Sequence, residues 1–264
     1  MRMKFCSNLS FMFGEATSIL DRYKLAKDAG FKAVETGFPF GHTLEQVKQA
    51  KENAGIEQVL INLRTGDLSK GELGVTAVPG KEKDFRDSLQ VTIDYAKAVN
   101  ASKIHIMAGK LETVTAVNWQ TYEDNLKYAA GVLQTENIVG VIEPINQHSV
   151  PNYFLSDYSK AVDIIKRIDS PHLRLQLDIF HLQHIAGDLS HNIKNLMPYC
   201  KCIILQIAQV PHRDEPDAQG EVNYSYVLQH IAACGYNDWV GLEYKPAGNT
   251  VDGLKWIQAL GYTL

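Results

Sequence analysis

Short apolar runs and longer amphipathic stretches alternate along the whole chain. Runs of strand character fall at residues 4–8, 33–36, 58–62, 103–107, 139–143, 174–178, 202–207 and 239–243, eight in all. Helical periodicity fills the intervals. Residues 16–28 set Ile19, Leu20 and Tyr23 on one face, and residues 85–99 do the same for Phe85, Leu89, Ile93 and Ala96. Residues 157–168 align Tyr158, Ala161, Ile164, Ile165 and Ile168. This is the i, i+3, i+4, i+7 recurrence of half-buried helices. Gly30, Gly55, Asn100, Asn137 and Gly235 each stand where a helical pattern gives way to a strand pattern. Glycine and asparagine are the residues that stop a helix cheaply in the left-handed conformation.

Strands alternating with helices predict right-handed βαβ units and a parallel sheet. Eight units in 264 residues leave about 33 each, enough for one βα repeat. The expected architecture is therefore an α/β fold of the closed (β/α)8 TIM-barrel type, one domain spanning 1–264. The segment after the first run, Asn8-Leu9-Ser10-Phe11-Met12-Phe13-Gly14, has no G-x-G-x-x-G, the loop that a doubly wound dinucleotide fold would often carry there.

In such a barrel the chemistry gathers at the carboxyl ends of the strands. Four successive runs end in a side chain with a ligating oxygen: Glu143, Asp178, Gln206 and Glu243, spaced 35, 28 and 37 residues apart. Each spacing is about one repeat, so the four should ring one side of the mouth. Three carboxylates and an amide oxygen form a hard donor set, suited to Mg²⁺ or Mn²⁺ rather than zinc. Without a cation, three converging carboxylates repel one another or one takes a proton. Further candidates lie in the loops. Arg64 opens a polar, glycine-rich stretch running to about Lys83, long enough for a lid. His181 follows Asp178 by three residues, and Arg213 lies beyond the seventh run. Arg213 or Arg64 could fork onto an acid substrate. Lys245, matched in parity with Glu243, is expected to point inward, as are His105 and Gln176.

Composition narrows the function. Hydrophobic residues are 45%, charged residues 21% and the net charge −4, which excludes a disordered chain and the basic excess of a non-specific nucleic-acid binder. A small-molecule substrate is expected instead. Four scattered cysteines suit reduced thiols rather than a disulfide framework. The chain has no 18-residue apolar run and no leader-like apolar stretch near its start, so a cytoplasmic enzyme without a membrane span is expected. A homo-oligomer is compatible with the chain.

Asn-Leu-Ser-Phe-Met-Phe at 8–13, Asn62-Leu63-Arg64-Thr65-Gly66-Asp67, Glu143-Pro144-Ile145-Asn146, Asp178-Ile179-Phe180-His181, Gln206-Ile207-Ala208 and Gly241-Leu242-Glu243-Tyr244 together resemble the hydroxypyruvate isomerase family, one of the xylose-isomerase-like TIM barrels. The resemblance runs from the first strand to the eighth. It implies proton transfer by Glu143 and Glu243, ligation of a divalent metal by Glu143, Asp178, Gln206 and Glu243, and substrate contact by His181 and Arg213. The related ketose 3-epimerases usually carry histidine where this chain has Gln206, a departure that favours the isomerase branch. The implied reaction interconverts hydroxypyruvate and tartronate semialdehyde through an enediol. A ketose 3-epimerase would use the same glutamates and metal on a longer, uncharged substrate. A DNA repair endonuclease on this barrel would need a histidine-rich, multi-metal site and a DNA-binding charge.

Overall fold

The computed structural model describes residues 3–200 and 204–264. Its strands are β1 Lys4–Asn8, β2 Ala33–Thr36, β3 Glu57–Asn62, β4 Lys103–His105, β5 Val139–Ile142, β6 Leu173–Leu175, β7 Leu177–Asp178, β8 Leu205–Ile207 and β9 Trp239–Leu242. The helices are α1 Ile19–Asp28, α2 Leu44–Ala54, α3 Glu82–Val99, α4 Ala116–Thr135, α5 Tyr158–Ile168, α6 Ile179–Ile185, α7 Leu189–Cys200, α8 Tyr224–Ala233, α9 Thr250–Gly253 and α10 Lys255–Ala259. All strand pairs are parallel, in the order β6-β5-β4-β3-β2-β1-β9-β8-β7. The ends of this sheet, β6 and β7, are consecutive in sequence, so the sheet curls into a nearly closed parallel barrel.

The single strand expected at 174–178 is divided at Gln176. β6 pairs with β5 in the register Ile142↔Leu175, whereas β7 pairs with β8 in the register Leu177↔Leu205. Gln176 serves both sides. Its backbone N–H donates to Ile142 O at 3.0 Å, while its side-chain amide donates to Gln206. The seventh run was expected to begin at Cys202, which lies outside the described residues together with its thiol. Cys6, Cys200 and Cys234 are free thiols. The five expected helix stops all hold left-handed backbones, with φ of 104°, 59° and 84° at Gly30, Gly55 and Gly235 and 54° and 55° at Asn100 and Asn137.

The main core lies between the strands and the helices. Phe5 on β1 meets Trp256 and Tyr262 edge-on at 5.6 and 5.7 Å, which seats the C-terminal segment against the barrel wall. A second apolar cluster contains Cys6, Ala33, Val59, Val141 and Ile204. Cys6, Ala33, Val141 and Ile204 share strand parity with Asn8, Glu35, Glu143 and Gln206, two residues further along, so they stack one layer below those polar groups. Among the described residues, no helix is long and apolar enough to cross a membrane.

Helix α5 shows how local sequence sets such an element. Asp157 accepts from Ser159 N at 2.7 Å and Lys160 N at 3.2 Å, capping the helix start, and Tyr158, Ala161, Val162, Ile164 and Ile165 are buried. Asp157→Ala is expected to cost about 1 kcal/mol and to lower the melting temperature by roughly 2–4 °C. A calorimetric melt unchanged from wild type would show that the cap contributes nothing.

Candidate active site

Glu143 follows β5 directly and is 4% exposed. Asp178 ends β7, is fully buried, and doubles as the N-cap of α6, with Oδ1 accepting from Phe180 N at 2.7 Å. That cap explains the spacing to His181. The third helical position lies on the same side as the cap, and His181 Nε2 comes within 3.6 Å of Asp178 Oδ2. One carboxylate oxygen thus starts the helix while the other faces the site.

The protonation of His181 follows from its partners. Its Nδ1 meets the backbone N–H of Asn146 at 3.3 Å and the Asn146 side-chain nitrogen at 2.7 Å. Asn146 Oδ1 accepts from Ser149 N, which fixes the NH₂ group toward the ring. Two donors make Nδ1 an acceptor. Burial and the neighbouring Arg213 cation push the imidazole well below its usual pKa. The ring is therefore neutral with its proton on Nε2, and it offers an N–H to the site rather than a lone pair.

Arg213 reaches the site from the loop after β8, with a left-handed φ of 59°. The loop is wound around Gln209, whose amide nitrogen donates to Pro216 O, Ala218 O and Val222 O. The guanidinium lies over the rings of Phe11 and Phe180, 4.7 and 4.8 Å from their centroids, an arrangement favourable for a cation. Its Nη2 donates to Glu243 Oε2 and lies 3.5 Å from Asp178 Oδ2. Its Nη1 has no hydrogen bond among the described residues. Glu243, just past β9, accepts at Oε1 from Asn8 Nδ2 at 2.9 Å.

Four acids share this space. Burial and the Glu243 and Asp178 charges push the Glu143 carboxyl well up. Burial raises Asp178 against the pull of Arg213. Burial, opposed by Arg213, brings Glu243 to about 7. Glu35, on β2, is pushed up to about 8 by burial and the Glu243 charge. Arg213 itself is held above its usual value by the Glu243, Asp178 and Glu143 charges, which outweigh its own burial. Carboxyls raised in this way can exchange protons with a substrate.

Carboxylate oxygens of Glu143 and Asp178 lie within 4.8 Å of each other and of the His181 ring, which donates beside them rather than ligating, and Glu143 Oε1 is buried without a hydrogen-bond partner. A carboxylate-rich set with an unused oxygen fits a divalent cation. The structure brings Glu143, Asp178, His181, Arg213 and Glu243 together. Gln206 adjoins them, but its amide is turned to the barrel interior. Its Nε2 lies 3.1 Å from both Glu35 oxygens, and its Oε1 accepts from Gln176. Arg64 and Lys245 are exposed. Arg64 lines an open surface cavity with Thr65, Asp67, Lys81 and Asp84, and none of the four strand-end residues lines it. His105 faces inward as expected, with Nδ1 3.6 Å from Glu143 Oε2. Burial lowers its pKa to about 3. Sequence reasoning missed Glu35 altogether. The one available signal was a carboxylate in an otherwise uncharged strand, at the parity that alternates inward.

A family model described as a xylose-isomerase-like TIM barrel matches residues 23–260. A Drosophila melanogaster protein provisionally named a hydroxypyruvate isomerase is 46% identical, covering all of both chains. The hydroxypyruvate isomerase of Escherichia coli strain K12 is 38% identical, covering 97% of this chain and 98% of its own. A 2-oxo-tetronate isomerase from Cupriavidus necator is 36% identical, covering 97% of each chain. A crystal structure from Brucella melitensis, titled as an AP endonuclease of family 2, superposes with a TM-score of 0.92 at 36% identity, covering 97% of this chain and 98% of its own.

Proposed function

The chain belongs to the xylose-isomerase-like TIM barrels and, within them, to the hydroxypyruvate isomerase family; from that membership we propose that it interconverts hydroxypyruvate and tartronate semialdehyde. It is an isomerase, and the proposal concerns its substrate and the residues that act. The observation that carries the residue assignment is the pair Glu143 and Glu243. They are 100 residues apart in sequence, yet they meet in one buried cluster, where the Glu243 charge helps to raise Glu143.

In the proposed reaction one glutamate takes a proton from C3 and the other returns one to C2, through an enediolate. The proton on the C3 oxygen ends on the C2 oxygen, so atoms balance. Glu143 Oε1, buried and unpartnered, has the lone pair free to accept. Glu243 is oriented at both oxygens, by Asn8 and by Arg213. His181 donates its Nε2 proton to the substrate oxygen that gathers charge. Arg213, already paired through Nη2, has Nη1 left for the substrate carboxylate. The Phe11 and Phe180 rings favour the guanidinium cation through their π faces. Arg64 and Lys245, exposed beyond the cluster, are lesser candidates for the same carboxylate. Glu143, Asp178, Gln206 and Glu243 are the residues that would hold Mg²⁺ or Mn²⁺, and such an ion, when bound, supplies stabilisation of negative charge. Ligation by Gln206 requires its amide to turn. A small keto acid as partner and a cytoplasmic setting belong to the same reading.

The Brucella protein is named as a nuclease. A carboxylate-rich cluster holding one histidine, in a chain of net charge −4, supports the isomerase reading over binding to a phosphate backbone. The test is a panel of hydroxypyruvate, 2-oxo-tetronate, an uncharged ketose and abasic-site DNA, each with and without chelator. Turnover is expected on the keto acids, reduced by chelator and restored by added Mn²⁺ or Mg²⁺. Turnover of the ketose or the DNA without turnover of hydroxypyruvate would overturn the substrate assignment. Full activity in chelator would overturn the cation.

A further inference from the structure

Glu35 is wholly buried and carries no role in the proposed reaction. Register places it opposite Asn8 on the neighbouring strand. Its Oε1 accepts from Asn8 Nδ2 at 3.1 Å, and the same nitrogen donates to Glu243 Oε1 at 2.9 Å. Asn8 Oδ1 accepts from Ser10 N at 2.9 Å, so the NH₂ end must face the two carboxylates. One amide thus spends its two N–H groups on two glutamates. Both Glu35 oxygens also lie 3.1 Å from Gln206 Nε2. Room for this carboxyl exists because position 241 is glycine. A Cβ there would come within 2.5 Å of Glu35 Oε1.

We propose that Glu35 is a positioning residue: by accepting from Asn8 and Gln206 together, it fixes the Asn8 amide that aims Glu243 and sets which face Gln206 turns to the site. The inference rests on the reading of Glu243 as a proton-transfer residue. Without the acceptor, Asn8 keeps only Ser10 and Glu243 as side-chain partners and Gln206 only Gln176, so both amides are held less firmly, and with them the support of Glu243 on the side away from Arg213. A misplacement of about 1 Å at a reacting group can cost up to ~10²-fold in rate.

The experiment compares wild type, Glu35→Leu, Glu35→Gln, Asn8→Ala and the double variant Asn8→Ala/Glu35→Leu, by steady-state kinetics on hydroxypyruvate, thermal melts and crystal structures. Glu35→Leu and Asn8→Ala should each lower kcat by about tenfold with KM within about twofold. The double variant should be no worse than the worse single, since the residues act as a unit. Glu35→Gln, which keeps an acceptor for Asn8, should recover part of the loss. A folded Glu35→Leu with wild-type kcat, or a loss confined to KM, overturns the proposal. If Glu35→Leu does not fold, Asn8→Ala reads the same link, and a wild-type kcat there overturns it. Wild type inactive on hydroxypyruvate would sink the substrate reading alone. The structures then decide: an Asn8–Glu243 contact and a Gln206 rotamer unchanged in Glu35→Leu, or in Glu35→Gln if that variant does not fold, overturn the positioning role.

Discussion

Glu143→Gln and Glu243→Gln should each lower kcat on hydroxypyruvate by at least about 10²-fold, with the fold intact. Glutamine keeps the shape of glutamate and an oxygen that could still face a cation, but it cannot take or give the proton. Each glutamate is assigned a different carbon, so neither can stand in for the other. The double variant should cost much less than the product of the singles. Stability should move the other way. Both carboxyls have folded-state values above the ordinary 4.5, Glu243 at about 7. Their contribution is fully present below about pH 4.5 and is lost as pH rises through the folded-state value. Near pH 8 an ionised Glu243 therefore works against folding, and Glu243→Gln should melt at or above wild type. Turnover in deuterium oxide should place solvent deuterium in the product. A folded single variant that is nearly fully active would defeat the two-base scheme in favour of a hydride shift.

Arg213→Ala should raise KM for hydroxypyruvate by the equivalent of about 1.5–3 kcal/mol, the range for a hydrogen bond to a charged group, or roughly ten- to 150-fold. Any residual binding of uncharged ketoses should fall far less. Arg213→Lys should not restore the acid, because a compact ammonium on a flexible stem neither packs flat against Phe11 and Phe180 nor holds Glu243 with one nitrogen while presenting another to the substrate. The alanine variant also strips Glu243 of the cation that opposes its burial, so a fall in kcat should accompany the change in KM. An unchanged KM would move carboxylate recognition to Arg64 or Lys245.

Much of this arrangement was legible because repetition writes it into the chain. Glu143, Asp178, Gln206 and Glu243 each follow an apolar run, and one repeat separates each from the next. The helix stops at Gly30, Gly55, Asn100, Asn137 and Gly235 were legible because few residues tolerate that backbone. Other features depend on contacts that no local pattern records. The break at Gln176 arises because one strand must pair with β5 on one side and β8 on the other; in sequence, a glutamine between leucines reads as ordinary alternation. Lys245 was expected inward by counting two from Glu243, but β9 ends at Leu242 and alternation has no force beyond the ladder. Glu35 escaped because the groups that give it meaning, Gln206 and Glu243, lie 171 and 208 residues away.

The interlocked side chains of Glu35, Gln206 and Gln176 set a limit on depth. Below them the barrel is plugged by Cys6, Ala33, Val141 and Ile204, and above them stand the carboxylates. A molecule held against Glu143 and Glu243 therefore cannot grow downward by even one carbon without dismantling the hydrogen bonds that tie Glu35 on β2 to Gln206 on β8 and Gln206 to Gln176. It can lengthen only outward, past Phe11, Phe180 and the segments around Arg64 and Arg213. If the proposed keto acid is the substrate, choosing between a three-carbon and a four-carbon molecule is then the work of the loops. Substrate length could be rewritten by changing their residues while every strand stayed as it is.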